Sequence, residues 1–430
     1  MFLLVTTTLI IRPSELVKEL AQLPIYEGLI LGAVALSYRE IQQHFQPNAL
    51  RQQPITMCAA LLIIAVFLSH MTHFYLYGVK SATVDYIKTL IFYGLLVAVV
   101  DTPLRIRILL FVVAVTSTIM VGMSVLDYYE VIDYEFITHI TDRHGKAATG
   151  ADILEKRMRG TGVFQDPNDI SLLIVAAGVI SLYFLTDKTL GFARIFWLFP
   201  LYVLGTGLLC TRSRGGLLAA AAAGGCMILT RYGRKVAISA AVCGVALLPL
   251  MAGRMGSISL SSGTGHERLL LWREGFQAIK SPYILFGIGY GMYGEYAGLV
   301  AHNSFVHAFV ELGLFGGTLF FGMFFFTIYS MYRIMKLPDW LGHPELNRMR
   351  PYVVGILGGW SIGLLSLSRC YVPPTFLIIG IQAAFLNYVS FTLRPMQPLL
   401  YWDKRLFWIL TIASFGLWWF LYFFILFFAR

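Results

Sequence analysis

Long apolar runs separated by short polar breaks dominate the chain. Stretches of roughly 20 mostly apolar residues, the length that crosses a hydrocarbon core, recur along nearly its whole length. They fall near residues 2–12, 24–38, 55–76, 84–100, 107–126, 168–186, 192–211, 215–230, 236–252, 303–332, 351–368, 373–393 and 406–428. The pattern predicts an all-α polytopic integral membrane protein of about 12–13 transmembrane helices, with the first run short. Two longer polar intervals interrupt it, at 127–167 and 253–302. We find no heptads, low-complexity tracts or internal repeats, so residues 1–430 read as one membrane domain carrying two long loops. No polar cleavage region follows the first run, which is expected to stay as an anchor.

Composition agrees with this pattern: 57% hydrophobic residues, 13% charged and a mean hydropathy of +0.71 exclude an ordinary soluble domain. The partner to expect first is a lipid bilayer, and nothing suggests nucleic acid. The five cysteines lie in or beside apolar runs with no C-x-x-C spacing, so they read as packing residues; no metal site and no cofactor are expected.

Charge sets the orientation. With the N-terminus inside, sixteen Lys and Arg fall in cytoplasmic segments and fifteen in external ones, but nine of those fifteen lie in the two long loops, where the positive-inside rule does not operate. The short loops then vote sixteen to six, which turns both long loops outward.

Four places hold candidate chemistry, because ionisable groups near the membrane are costly to keep. The segment Arg212-Ser213-Arg214-Gly215 puts two arginines between apolar runs at the outer surface, either as snorkelling helix anchors or as a phosphate fork. In the second loop, Leu269, Trp272, Phe276 and Ile279 recur at helical spacing and predict an amphipathic helix at the membrane interface. Arg268 stands at the margin of that stripe and Arg273 beside it. His302 and Asn303 open the next run, where a histidine is either a helix cap or a proton acceptor. Eleven helical residues return to nearly the same azimuth, which would put Gly313 on the face of His302 and Glu311 opposite, as a pairing group. Finally, Asp166-Pro167-Asn168-Asp169 suits a helix N-terminus, with Asn168 a weaker functional candidate.

Gly289, Gly291 and Gly294 have the G-x-G-x-x-G spacing of dinucleotide loops. Their neighbours are membrane runs and not a βαβ unit, which disfavours a cofactor and leaves two readings: a tight turn, or a backbone that something must approach closely.

The same features resemble the O-antigen ligase and polymerase superfamily of bacterial membrane glycosyltransferases. The resemblance is carried by Gly162-Val-Phe164-Gln-Asp166-Pro167-Asn168, Arg212-Ser-Arg214-Gly, Arg268 with Trp272, Gly287-x-Gly289-x-Gly291, and His302-Asn303 followed by Gly313. The early Ile11-Arg12-Pro13-Ser-Glu15 is also similar to the start of some members. The resemblance implies a GT-C-like fold in the bacterial inner membrane and an active site facing the exterior. Its donor is a glycan on undecaprenyl pyrophosphate, and its acceptor is another glycan or the lipid A core. It assigns the donor pyrophosphate to Arg214 and Arg268, with Arg212 and Arg273 as second choices, and makes His302 a metal-independent general base. Asn303, Gly313, Trp272 and Asn168 support the site. Chain elongation is slightly preferred over ligation to lipid A core, because the spacing from His302 to Gly313 resembles the polymerase branch. Protein glycosylation is less expected without a soluble C-terminal region, and a lipid-linked glycan flippase is the non-enzyme alternative.

Overall fold

The computed structural model describes residues 1–146, 152–247, 264–280, 282–336, 341, 343–392 and 398–429. In chain order its helices are α1 (Phe2–Ile11), α2 (Pro13–Leu16), α3 (Ile25–Leu36), α4 (Tyr38–His44), α5 (Pro47–Gln52), α6 (Pro54–Met71), α7 (Leu76–Val99) and α8 (Pro103–Tyr128). A two-stranded antiparallel hairpin follows, β1 (Ile140–Lys146) and β2 (Asp152–Arg157), pairing Ile140 with Arg157. The remaining helices are α9 (Pro167–Leu185), α10 (Leu198–Thr211), α11 (Arg214–Leu247), α12 (Thr264–Ala278), α13 (Tyr293–Ala297), α14 (Ser304–Met335), α15 (Pro344–Gly363), α16 (Pro373–Thr392) and α17 (Lys404–Phe428).

The protein is thus an all-α polytopic membrane protein. Among the described residues seven helices are long and apolar enough to cross a bilayer: α6, α7, α8, α9, the Lys188–Thr211 stretch that ends in α10, α14 and α17. The other expected runs are helical too, in α1, α3, α11, α15 and α16, while residues 248–252 of the ninth run lie outside the described residues. The hairpin within 127–167 was not expected from the sequence.

The chain falls into two compact units. The first comprises residues 1–36, 104–233 and 349–363. Its centre is α9, 78% of whose apolar window is buried. Glycines on α15 let that helix approach closely: Gly363 sits over Leu172 of α9, Gly359 over Ala219 and Ala223 of α11, and Gly358 over Cys226. Small residues at such contacts are how membrane helices gain packing without a hydrophobic drive between them.

The second unit comprises residues 37–103, 234–348 and 364–430. Here α14 is the buried centre, packed against α6, α16 and α17. Aromatic side chains fill the layer between α7 and α16, where Tyr86 and Tyr93 both meet Phe376 edge-on and the Tyr86 hydroxyl donates to the Ala59 carbonyl at 2.6 Å. By contrast α17 has only 28% of its window buried, leaving a broad outer face for lipid.

Candidate functional site

In the first unit the candidate residues gather where two long helices begin. Asp166 caps α9 by accepting from the Asn168 amide at 2.7 Å, with Pro167 at the first helical position, as the sequence suggested. Ser213 caps α11 by accepting from the Gly216 amide at 3.0 Å. The two starts are joined, because the Ser213 hydroxyl donates to Asn168 Oδ1 at 2.7 Å. Gly216 makes this fit possible, since a β-carbon there would strike the Ser171 side chain.

Arg157, at the end of β2, locks the same junction. Its Nη2 donates to Asn168 Oδ1 at 3.2 Å and its Nε to the Thr211 carbonyl at 3.1 Å. Arg212 pairs with Glu155 of the hairpin at 3.2 Å, and Arg214, half-buried, begins α11. Two helix N-termini and arginines 157, 212 and 214 therefore share one neighbourhood with the carboxylates of Glu155 and Asp166, and helix N-termini and guanidinium groups are suited to an anion. Sequence reasoning missed Arg157, whose signal was only a basic residue in a long loop.

The N-terminal segment docks on the entry to α9. Glu15 accepts from the Gly162 amide at 2.8 Å and pairs with Arg12 at 2.7 Å, whose side chain lies where a β-carbon on Gly162 would be. The Ile11–Glu15 and Gly162–Asn168 patterns, read separately in the sequence, thus form one contact.

In the second unit α12 forms as expected, but its apolar stripe has a different neighbour. Leu269, Phe276 and Ile279 are buried in one cluster with Trp418, Leu421 and Ile425 of α17 and with Val306, Phe309 and Val310 of α14. The stripe serves protein packing, which corrects the expectation of a lipid interface: the C-terminal helix supplies the apolar partner. Arg268 is half-buried on α12. Arg273 donates to the Ala429 carbonyl at 2.8 Å and so satisfies the end of α17. Trp272 Nε1 donates to the Ala301 carbonyl at 2.6 Å, fixing the residue that precedes His302.

The helix start at α14 separates the two readings of its first residues. Asn303 is the cap, its Oδ1 accepting from the Phe305 and Val306 amides at 3.0 and 3.2 Å. His302 stands outside the helix, half-buried, with left-handed backbone at φ 49°. Arg12 and Arg212 also have positive φ, so three of the five non-glycine residues in that region among the described residues belong to the motifs singled out by sequence. Such conformations cost about 1–3 kcal/mol and cluster at functional sites.

Gly313 does not share a helical face with His302. His302 and Asn303 stand outside α14 with non-helical backbone, so turns cannot be counted from them, and Gly313 itself breaks the helix with φ 65°, ψ −168°. The Gly-rich loop occupies the break: the Ile288 and Gly289 amides donate to the Val310 and Glu311 carbonyls at 3.1 and 3.0 Å, and the Leu314 and Phe315 amides donate to the Ile284 and Leu285 carbonyls at 2.9 and 3.0 Å. Polar backbone freed inside a membrane-length helix needs such partners. Gly287, Gly289 and Gly291 all have positive φ; at Gly287 the body that approaches closely is the protein's own backbone, at Gly289 it is the His70 and Met292 side chains, and Gly291 faces open space. Glu311 is a pairing group, as expected: it is 1% exposed, meets His307 Nε2 at 2.9 Å and accepts from the Tyr293 amide at 3.2 Å.

Buried central helices, exposed apolar outer ones and polar clusters at helix starts define a polytopic membrane protein. Residues 199–321 match the family described as O-antigen ligase, which supports the resemblance to the O-antigen ligase and polymerase superfamily. The match supports glycan transfer of that general kind. No curated protein matches the chain. Arg212, Arg214, Arg268, Trp272, Arg273, His302, Asn303 and Gly313 all fall within the matched segment, whereas Arg157 and Asn168 precede it.

Proposed function

We propose that the protein is a metal-independent glycosyltransferase of the bacterial inner membrane that uses an undecaprenyl-pyrophosphate-linked glycan at its outer face. The observation that carries this reading is the junction of the α9 and α11 starts, where Arg157 binds Asn168, Asn168 accepts from Ser213, and Arg212 and Arg214 flank Ser213 in sequence. A departing lipid pyrophosphate needs fixed positive charge, and guanidinium forks and helix N-termini supply it without reorganising. Arg214, with Arg212 as second choice, is the first unit's candidate for the pyrophosphate, and Arg268, with Arg273 as second choice, is the second unit's.

In the reaction, an acceptor hydroxyl attacks the anomeric carbon of the donor glycan. The new C–O bond forms as the bond from that carbon to the pyrophosphate oxygen breaks. The hydroxyl proton passes to His302, and the electron pair leaves on undecaprenyl pyrophosphate. A neutral imidazole can accept that proton, and Asn303 already performs the capping that would otherwise occupy a residue at this helix start. Trp272 and Gly313 support the placement of His302 and of the helix that follows it.

Elongation of one lipid-linked glycan by another is preferred over transfer to the lipid A core. Purified protein incubated with lipid-linked glycan tests both levels. Longer lipid-linked chains support elongation, and product only when lipid A core is added supports ligation. Movement of the donor across liposomes with no new glycosidic bond would identify a flippase and end the enzyme reading.

A further inference from the structure

At the start of α17 an open cleft of about 360 Å³ is lined by Arg51, Trp402, Asp403, Lys404, Phe407 and Trp408, all within the second unit. We propose that it holds the phosphate of an anionic phospholipid.

The cleft is built by local bonds. The Trp402 amide donates to the Arg51 carbonyl at 2.7 Å, tying the approach to α17 onto α5. Asp403, the only carboxylate in the lining, accepts from the Leu406 amide at 2.7 Å and caps its own helix. Arg51 and Lys404 are exposed and form no ion pair among the described residues. Two cations therefore face a space whose single anion is already engaged, at the positive end of a 25-residue helix.

The depth of the cleft points to a lipid. Trp402 and Trp408 belong to the start of a membrane-length helix, where indole rings prefer the head-group layer. From the cleft an exposed apolar stripe runs down α17 through Phe407, Trp408, Ile412, Phe415 and Trp419, a surface for acyl chains. A soluble phosphate ester would leave that stripe unused. A zwitterionic head group would bring its own ammonium against Arg51 and Lys404, so charge complementarity selects an anionic head such as phosphatidylglycerol.

The inference is independent of glycan transfer, and so is its test. Full-length protein in neutral detergent is titrated with dioleoyl phosphatidylglycerol or dioleoyl phosphatidylcholine, and bound lipid is counted by native mass spectrometry. Each cation beside an anionic head group is worth roughly fivefold, so the wild type should prefer phosphatidylglycerol by about 25-fold. The Arg51→Gln/Lys404→Gln variant should lose that preference, whereas Arg51→Lys/Lys404→Arg should keep it. Arg405→Gln, outside the cleft lining, should also keep it. Equal retention of the two lipids by the wild type, or an undiminished preference in the Gln variant, overturns the proposal. So does soluble glycerophosphoglycerol binding as tightly as the lipid.

Discussion

Gly287 and Gly313 meet backbone to backbone: a β-carbon on Gly287 would strike the Glu311 carbonyl and the Gly313 amide, and one on Gly313 would strike the Leu285 carbonyl and the Gly287 amide. Both residues also have positive φ. Gly313→Ala should therefore destabilise the protein by at least roughly 2 kcal/mol, from backbone strain and collision together. Gly291→Ala supplies the contrast, since Gly291 has φ 75° but open space around its α-carbon. It should cost only about 1 kcal/mol. Thermal unfolding of the two variants in detergent measures both; equal losses would mean that the contact contributes nothing beyond the dihedral.

His302→Asn should leave folding intact and abolish most transfer. Asparagine tolerates the left-handed backbone at this position, and the helix keeps its cap in Asn303. If His302 is the general base, turnover should fall by roughly 10²–10⁴ while binding of the lipid-linked donor changes little. Retained turnover in the Asn variant would refute the assignment.

Arg214→Lys should damage transfer nearly as much as Arg214→Ala. Lysine keeps the charge but loses the planar two-pronged fork that matches phosphate oxygens, a loss of about 10–100-fold for charge-assisted bonds. Steady-state assays on normally expressed variants decide the matter. A fully active Lys variant would reduce Arg214 to a helix-end anchor.

Turnover should survive chelation. No group of three His, Cys, Asp or Glu that could hold a metal ion occurs among the described residues, and the charge of the leaving group is assigned to arginine. Activity abolished by EDTA and restored by magnesium would show that the pyrophosphate is neutralised differently.

Acid should loosen the hairpin end of the first unit. His139 is half-buried with its side chain covered, its Nδ1 accepts from the Arg159 amide at 3.3 Å and its Nε2 lies 3.0 Å from Asp127. Burial holds its pKa below the usual value, outweighing the upward pull of Asp127, with Lys156 and Arg159 adding to the depression. A histidine whose folded pKa is lowered binds fewer protons than in the unfolded chain. Its contribution to stability is thus complete above about pH 6.5 and is lost as pH falls through the lower folded value. Amide-exchange protection across residues 134–146 and 152–160, corrected for the intrinsic rate that itself slows toward acid, should fall between pH 7.5 and 5, and His139→Gln should flatten that dependence. Unchanged protection in the wild type would contradict it.

What could be read without tertiary structure was what consecutive residues decide together. Membrane helices were legible because desolvation of a run is a sum over neighbours in sequence, and the caps at Asp166 and Asn303 because a side chain there reaches amides only two or three residues on. The pairing role of Glu311 was legible because charge near apolar runs is costly to leave unpartnered. The hairpin was not, since its pairing spans a loop. Nor was the role of Arg157, which depends on Asn168 and Thr211 arriving from different elements. Local periodicity also ran one helix from His302 through Gly313 and gave α12 a lipid neighbour. In both cases the deciding energy came from a distant segment, the 284–289 backbone filling the break in α14 and the α17 side chains covering α12, and no pattern within either helix encodes its partner.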